Sequence, residues 1–204
     1  MPELRREIFV SRIALLELED ERRLAREGHE LLDEKRVLLA AEMRRRLAQL
    51  RSLRAEAQRA TELAQGALRA ALVRHGLDEL AVYPPLDCGA DHIELTPSWL
   101  LGLELTEARL ERGPERHTEI GVNETRQARA CALAYRQLVA PLVALAACAA
   151  SLRRLAREYA RTERRTRAIE NVLLPEIDAA LKLIRDELES VDLEEIARTR
   201  HGRR

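Results

Sequence analysis

An all-α fold, a long antiparallel two-helix coiled-coil hairpin with a short globular insertion at the turn, is predicted by three features of this 204-residue chain. Aromatic residues make up only 2% of it, too few to fill a broad enzyme-like core. Ala, Leu, Arg and Glu dominate instead, the composition of long helices. Finally, two long stretches almost free of helix breakers flank a short segment dense in Gly and Pro.

The first stretch, from Arg5 to about Arg74, holds no Pro and only Gly28 and Gly66. It reads as one helix of roughly 70 residues, or ~105 Å. Leu24, Leu31 and Leu38 recur every seven residues as a candidate seam, flanked by Ala25, Leu32 and Leu39. Met43, Leu47, Leu50, Leu53 and Ala57 carry the stripe on, so a stutter is expected between Leu38 and Leu47. Residues 76–121 are punctuated by Gly76, Pro84-Pro85, Gly89, Pro97, Gly102 and Gly113-Pro114. Ile93-Glu94-Leu95 allows a small β-hairpin there. The second helical stretch begins near Asn123 and runs to about Arg200, and its seam is the cleaner one. Leu174, Ile177, Leu181, Ile184, Leu188 and Val191 step by alternating threes and fours. Pro141 and Pro175 lie within it and predict bends or local breaks. The expected organisation is an N-terminal coiled-coil helix (1–75), an acidic globular insertion (76–121) and a C-terminal coiled-coil helix (122–204).

In an antiparallel hairpin, facing residues have numbers of roughly constant sum. At a sum of 205, Leu31 faces Leu174 and Ala57 faces Cys148, which sets large seam against large and Ala-rich stretch against Ala-rich stretch. Pairing within one chain is therefore expected.

Composition excludes several functions. The formal net charge is +0, giving no overall pull toward nucleic acid or an anionic membrane. The three segments carry +3, −7 and +4 in turn, so the ends of the chain are basic and its middle acidic. Cys88, Cys131 and Cys148 are odd in number and far apart, which fits a reducing compartment and no disulfide framework. Met1 to Val10 lacks the apolar run of a signal peptide. The longest apolar run, Leu138 to Ala150, is about two-thirds of a membrane span and contains Pro141, so a soluble protein is expected.

Nothing in the chain has the spacing of a catalytic site. His29-Glu30-Leu31-Leu32-Asp33 imitates a zinc-protease pattern, but Asp stands where the second His belongs and no third ligand follows. Cys88 and His92, with Asp87 and Asp91 nearby, offer one thiolate and one imidazole, short of a zinc site. There is no phosphate-binding Gly-rich loop and no Ser/His/Asp grouping. Arg44-Arg45-Arg46 and Arg164-Arg165 could touch phosphates, yet acidic residues are interleaved and stacking aromatics are scarce. No catalytic, cofactor or metal residue is assigned. A coiled-coil adaptor or homodimeric scaffold is the alternative that periodicity alone permits.

Two stretches carry a more specific signal. In the first, Leu24, Ala25, Gly28, Leu31, Leu32, Lys35 and Arg36 form a pattern around a central Gly. The second holds Arg164, Arg165, Ala168, Ile169, Glu170, Val172, Leu173 and Pro175. Together they resemble the D subunit of the V-type and A-type ATPases and ATP synthases, the central rotor shaft. Asp33, Arg167 and the absence of an Asn-Pro-Thr opening depart from that family's pattern. The resemblance implies a non-catalytic, cytoplasmic protein, peripheral to the membrane, whose two termini enter a hexameric catalytic head of A and B subunits. It also implies a small side-bound F subunit and a socket subunit leading to the membrane ring. On that reading Arg26, Arg36, Arg164, Arg165 and Arg167 are candidate head contacts.

Overall fold

The computed structural model describes residues 11–80, 82–83, 90–113 and 125–201. Two long helical arms pack together, and a small antiparallel β-hairpin separates them in sequence. The order is α1 (Arg12–Leu80), β1 (His92–Leu100), β2 (Leu103–Glu111), α2 (Arg126–Ala168), a π-helical segment (Ile169–Leu173) and α3 (Leu174–His201). The chain forms two compact units. One, here the terminal unit, comprises Met1–Leu38 with Tyr159–Arg204, and the other, the central unit, is Leu39–Glu158.

Both arms begin on a side-chain cap. Ser11 Oγ accepts from the Ala14 amide at 3.0 Å, and Thr125 Oγ1 accepts from the Ala128 amide at 3.3 Å. α1 kinks close to where its sequence predicts an end: Gly76 leaves helical geometry at φ 71°, a conformation open to Gly at little cost, and helix resumes beyond it to Leu80. α2 runs through Pro141 without the expected break.

In the terminal unit α1 turns Leu15, Leu18, Arg22, Ala25, His29, Leu32 and Arg36 inward. In the central unit Leu39, Met43, Arg46, Leu50, Leu53, Ala57, Ala60, Ala64, Ala67 and Ala71 do the same. Their spacing alternates between three and four throughout, so α1 has an unbroken heptad seam and no stutter. The interruption lies on the other arm. In the terminal unit the inward residues there are Tyr159, Thr162, Thr166 and Ile169, then Leu174, Ile177, Leu181, Ile184 and Leu188. The step from Ile169 to Leu174 is five.

The π segment supplies the extra residue. The Leu174 amide bonds to the Ile169 carbonyl, five residues back, so one residue is added to the turn while the apolar faces stay in phase. Pro175 follows immediately. Having no N–H, and a ring that would press on the carbonyl four residues earlier, it favours this widened turn over a regular one. The break predicted at Pro175 thus takes the form of a π turn.

The β-hairpin closes on Leu101 and Gly102, at φ 50° and 78°. Two consecutive positive φ values mark the tight turn whose twist matches paired strands. Pro97 opposite Thr106 occupies a pair whose backbone N–H positions point away from the partner strand, so no ladder bond is lost. At the hairpin base, Gly113 lies so close to Ala90 that a Cβ there would collide with the Ala90 side chain and carbonyl.

Candidate functional site

The seam is where the helices hold one another. In the terminal unit Ala25, Ile177 and Leu181 form a buried cluster, with Leu15, Leu18, Ile169 and Leu174 packed around it. Small Ala25 opposite two large aliphatics fills the space between helices without forcing them apart. Ile184 is also fully buried, Leu188 is half-buried, and Val191 is exposed.

Leu24, Leu31 and Leu38 are elsewhere. They are 69%, 67% and 52% exposed, and the next residue in each case, Ala25, Leu32 and Leu39, takes the seam position. Apolarity alone points to the wrong stripe because four seam positions on α1 are Arg22, His29, Arg36 and Arg46. A long Arg buries its aliphatic stem and carries its charge out to a partner. Arg22 Nε lies 2.7 Å from Asp178, an electrostatic contact without hydrogen-bond geometry. Arg36 reaches Glu163 at 3.1 Å and Asp33 at 2.6 Å. His29 Nε2 is buried without a hydrogen-bond partner.

Further ion pairs join the arms antiparallel: Arg12 with Asp192 at 3.2 Å, and Arg185 with Glu19. Exposed pairs of this kind contribute little singly and serve to fix register. Glu163 receives both Arg36 and Arg167, the latter at 2.7 Å. Its hydrogen bond from Arg36 holds its carboxyl below the usual range, and the same bond raises the Arg36 guanidinium. Thr162 and Thr166 are buried, and the Thr166 hydroxyl donates to the Thr162 carbonyl at 3.1 Å, so Thr166 sits in the seam without an orphaned hydroxyl.

Of the candidate head-contact residues, Arg36 and Arg167 therefore converge on Glu163. Arg26, Arg164 and Arg165 are exposed and make no ion pair among the described residues.

In the central unit the expected pairing of Ala57 with Cys148 does not occur. Cys148 Sγ lies 3.7 Å from the Arg46 carbonyl, about three turns from Ala57. The constant-sum rule takes Leu31 as its anchor, a residue outside the seam, and it assumes equal rise on both arms. Burial raises the thiols of Cys148 and Cys131. Arg46, almost wholly buried, bonds to Glu42 at 2.9 Å and to Glu107 of β2 at 3.0 Å. Glu42 is held below the usual carboxylate range, chiefly by Arg45.

The hairpin is latched to α2. Thr106 directs both backbone polar groups away from β1, and Ser151 meets both: its Oγ accepts from the amide at 3.0 Å and donates to the carbonyl at 2.8 Å. Arg154 donates to the Glu104 carbonyl at 3.1 Å. Buried Leu105 lies between these anchor points in sequence. At the base Asp91 accepts from Arg136 at 3.0 Å and from the Gly113 amide at 3.0 Å, and Arg136 in particular depresses its pKa. Nothing in the sequence pattern marks Ser151 or Asp91 for these roles, because both act on backbone or charge distant in the chain.

The helical stretch Arg126–His201 is by length and composition apolar enough to cross a membrane, and Leu133 to Ala150 within it carries one charge, Arg136. This is longer than the run read from Leu138. It contributes buried Cys148 and the Asp91-bound Arg136 to the central unit.

Three members of the candidate metal pairs are engaged elsewhere. Asp33 binds Arg36, Asp91 binds Arg136, and His92 lies 3.0 Å from Glu111, while Asp87 and Cys88 fall outside the described residues. No cluster of three or more His, Cys, Asp or Glu is placed to hold a metal ion among the described residues.

Comparison with known proteins adds a full-length likeness. Residues 14–203 match the family model for the ATP synthase D subunit. The chain is 27% identical to the V-type ATP synthase D subunit of Thermotoga neapolitana, covering 90% of this chain and 91% of that one. It is 29% identical to the A-type ATP synthase D subunit of Pyrococcus horikoshii, covering 97% and 94%. With the A-type ATP synthase D subunit of Methanopyrus kandleri it shares 27% identity over 96% and 85%.

Proposed function

Because the chain belongs to the ATP synthase D-subunit family, we propose that it is the central rotor shaft of a V/A-type rotary ATPase or ATP synthase. In this role it transmits torque between the catalytic head and the ion-translocating membrane ring and does no chemistry itself. Its partners are the A and B subunits of the head, the small F subunit at its side and a socket subunit toward the ring, with the chain on the cytoplasmic face of the membrane.

The observation that carries this reading is the heptad seam of α1 together with the seam of the second arm in the terminal unit, which stays in phase across the π segment. A shaft must resist twisting. Rotating one helix against the other undoes interdigitated contacts at every seam position together, so stiffness grows with seam length. Polar seam residues add register: Arg22, Arg36 and Arg46 each have a defined partner off their own helix, and slippage by one turn would break those contacts. Coupling is reciprocal. If nucleotide state biases shaft angle, shaft angle biases nucleotide affinity by the same free energy. Arg26, Arg164 and Arg165, and secondarily Arg36 and Arg167, are proposed to contact the head.

Leu181→Asp or Ile184→Asp puts an unpaired charge at a buried seam position. Single-molecule rotation of the reconstituted complex driven by ATP is expected to fail with either variant. Rotation at the wild-type rate would refute the role assigned to the seam.

A further inference from the structure

The leucines that leave the seam form a surface of their own. At 100° per residue, Ile13, Leu24, Leu31 and Leu38 project within roughly 40° of one another on α1, about 130° around the helix from the seam. They are 69%, 69%, 67% and 52% exposed, and Leu16 at their edge is 62% exposed. Solvent alone does not select four large aliphatics on one face. A surface residue that only solvates a helix is as well served by Lys, Gln or Ala, and contiguous exposed apolar surface marks interaction sites.

The rim of this face is mostly acidic, with Arg23, which is paired with Asp20, and Lys35 also bordering it. Glu17, Glu27, Glu30 and Glu34 are exposed and lie in or beside the stripe, and none has an ion-pair partner among the described residues. On the other arm a basic pair stands away from the seam in α2, while the corresponding face of α3 carries exposed Leu183, Asp186 and Leu193. In α2 Arg164 lies diametrically away from the seam and Arg165 lies on its flank, both exposed. The aliphatic, acid-rimmed stripe of α1 is thus separate from the exposed Arg164 and Arg165 of α2.

From this we infer that the α1 face bearing Ile13, Leu24, Leu31 and Leu38 is the main bearing surface of the terminal unit, and that it docks on an aliphatic protein surface rimmed by Lys or Arg. Complementarity of charge selects that occupant: four unneutralised carboxylates beside the leucines disfavour an acidic partner and a second copy of the same acidic face. The inference rests on the shaft reading, and it identifies the partner surface as belonging to the catalytic head. It places the greater part of that contact on leucines and glutamates, with Arg164 and Arg165 in the lesser share.

The test is binding of the full chain to the assembled A/B catalytic hexamer, measured by size-exclusion co-elution and titration. Three variants are compared with wild type: Leu24→Asp/Leu31→Asp, Glu27→Lys/Glu30→Lys/Glu34→Lys, and Arg164→Glu/Arg165→Glu. All alter exposed residues, and thermal melts of the isolated chain verify folding. The inference expects the leucine and glutamate variants to lose at least about tenfold in affinity and the arginine variant to lose less. If the leucine variant misfolds, the glutamate variant still decides. Loss confined to the arginine variant overturns the inference and leaves the shaft reading intact. Failure of the wild-type chain to bind the hexamer overturns both. A light-scattering mass of two chains that returns to one in Leu24→Asp/Leu31→Asp overturns the inference in favour of self-association.

Discussion

Leu38 and Leu39 are adjacent, identical in chemistry and opposite in environment, so truncating each to Ala tests the seam assignment against the stripe that composition alone would choose. Leu39 is 0% exposed and Leu38 is 52% exposed. Leu→Ala removes about three carbons' worth of apolar contact, roughly 2.5 kcal/mol at ~0.8 kcal/mol per buried methylene. The unfilled space left behind brings the cost for Leu39→Ala to about 3 kcal/mol. At Leu38 half of that surface is already wet and Ala is the better helix former, which leaves a cost of about 1 kcal/mol or less. For a chain of this size each kcal/mol moves the melting temperature by roughly 2–4 °C. Thermal melts followed by far-UV circular dichroism are therefore expected to fall by about 6–12 °C for Leu39→Ala and by no more than about 4 °C for Leu38→Ala. Equal losses, or a larger loss at Leu38, would show that the seam runs through Leu24, Leu31 and Leu38 after all.

Three further outcomes follow from the same packing. Deleting Asn171 together with Pro175→Ala removes the extra residue and the ring that favours it; the melting temperature should change by less than about 4 °C, whereas deleting Ala160 turns the seam by roughly 100° and should lower it far more. Equal damage from both deletions would contradict the register-keeping role of the π segment. Ser151→Ala strands the amide and carbonyl of Thr106, and hydrogen exchange at that amide is expected to accelerate roughly tenfold or more, with protection in the helical seam retained; unchanged Thr106 protection counts against the latch. Glu163, Glu42 and Asp91 all have pKa values lowered by Arg partners. Their stabilisation is complete above the unfolded carboxylate range of about 4 and is lost as pH falls through their lower folded values. Melting temperature should therefore be flat above about pH 5 and decline in acid, less steeply in Asp91→Asn; stability that rises on acidification would contradict the assignment.

Much of this architecture is legible in the amino-acid sequence, and the parts that are not share a physical cause. Helix breakers place both arms, Gly76 kinks the first near its end, and the alternating threes and fours from Leu174 to Leu188 mark residues that do turn inward. On α1 the same reading selects Leu24, Leu31 and Leu38, one residue from the seam. Arg22, His29, Arg36 and Arg46 interrupt the true stripe, and periodicity of apolar residues cannot register a charge whose stem is buried. The π segment is invisible for a related reason, since one extra residue looks like a change of phase until Pro175 is given its cause. The hairpin follows from Ile93-Glu94-Leu95, but its latch does not. Ser151 and Asp91 act across 45 residues, on partners that only the tertiary structure brings near.

The most direct measurement concerns the pairing of the two arms of one chain. Ala25 lies against Ile177 and Leu181 in the terminal unit. With Cys88, Cys131 and Cys148 replaced by Ala, Arg12→Cys/Asp192→Cys, at an exposed ion pair between the same two arms, treated with a short bis-maleimide should become bridged within a single chain, giving a monomeric mass and faster gel migration than the untreated chain. A covalent dimer, or no bridging at all in the folded protein, would contradict the account at its centre.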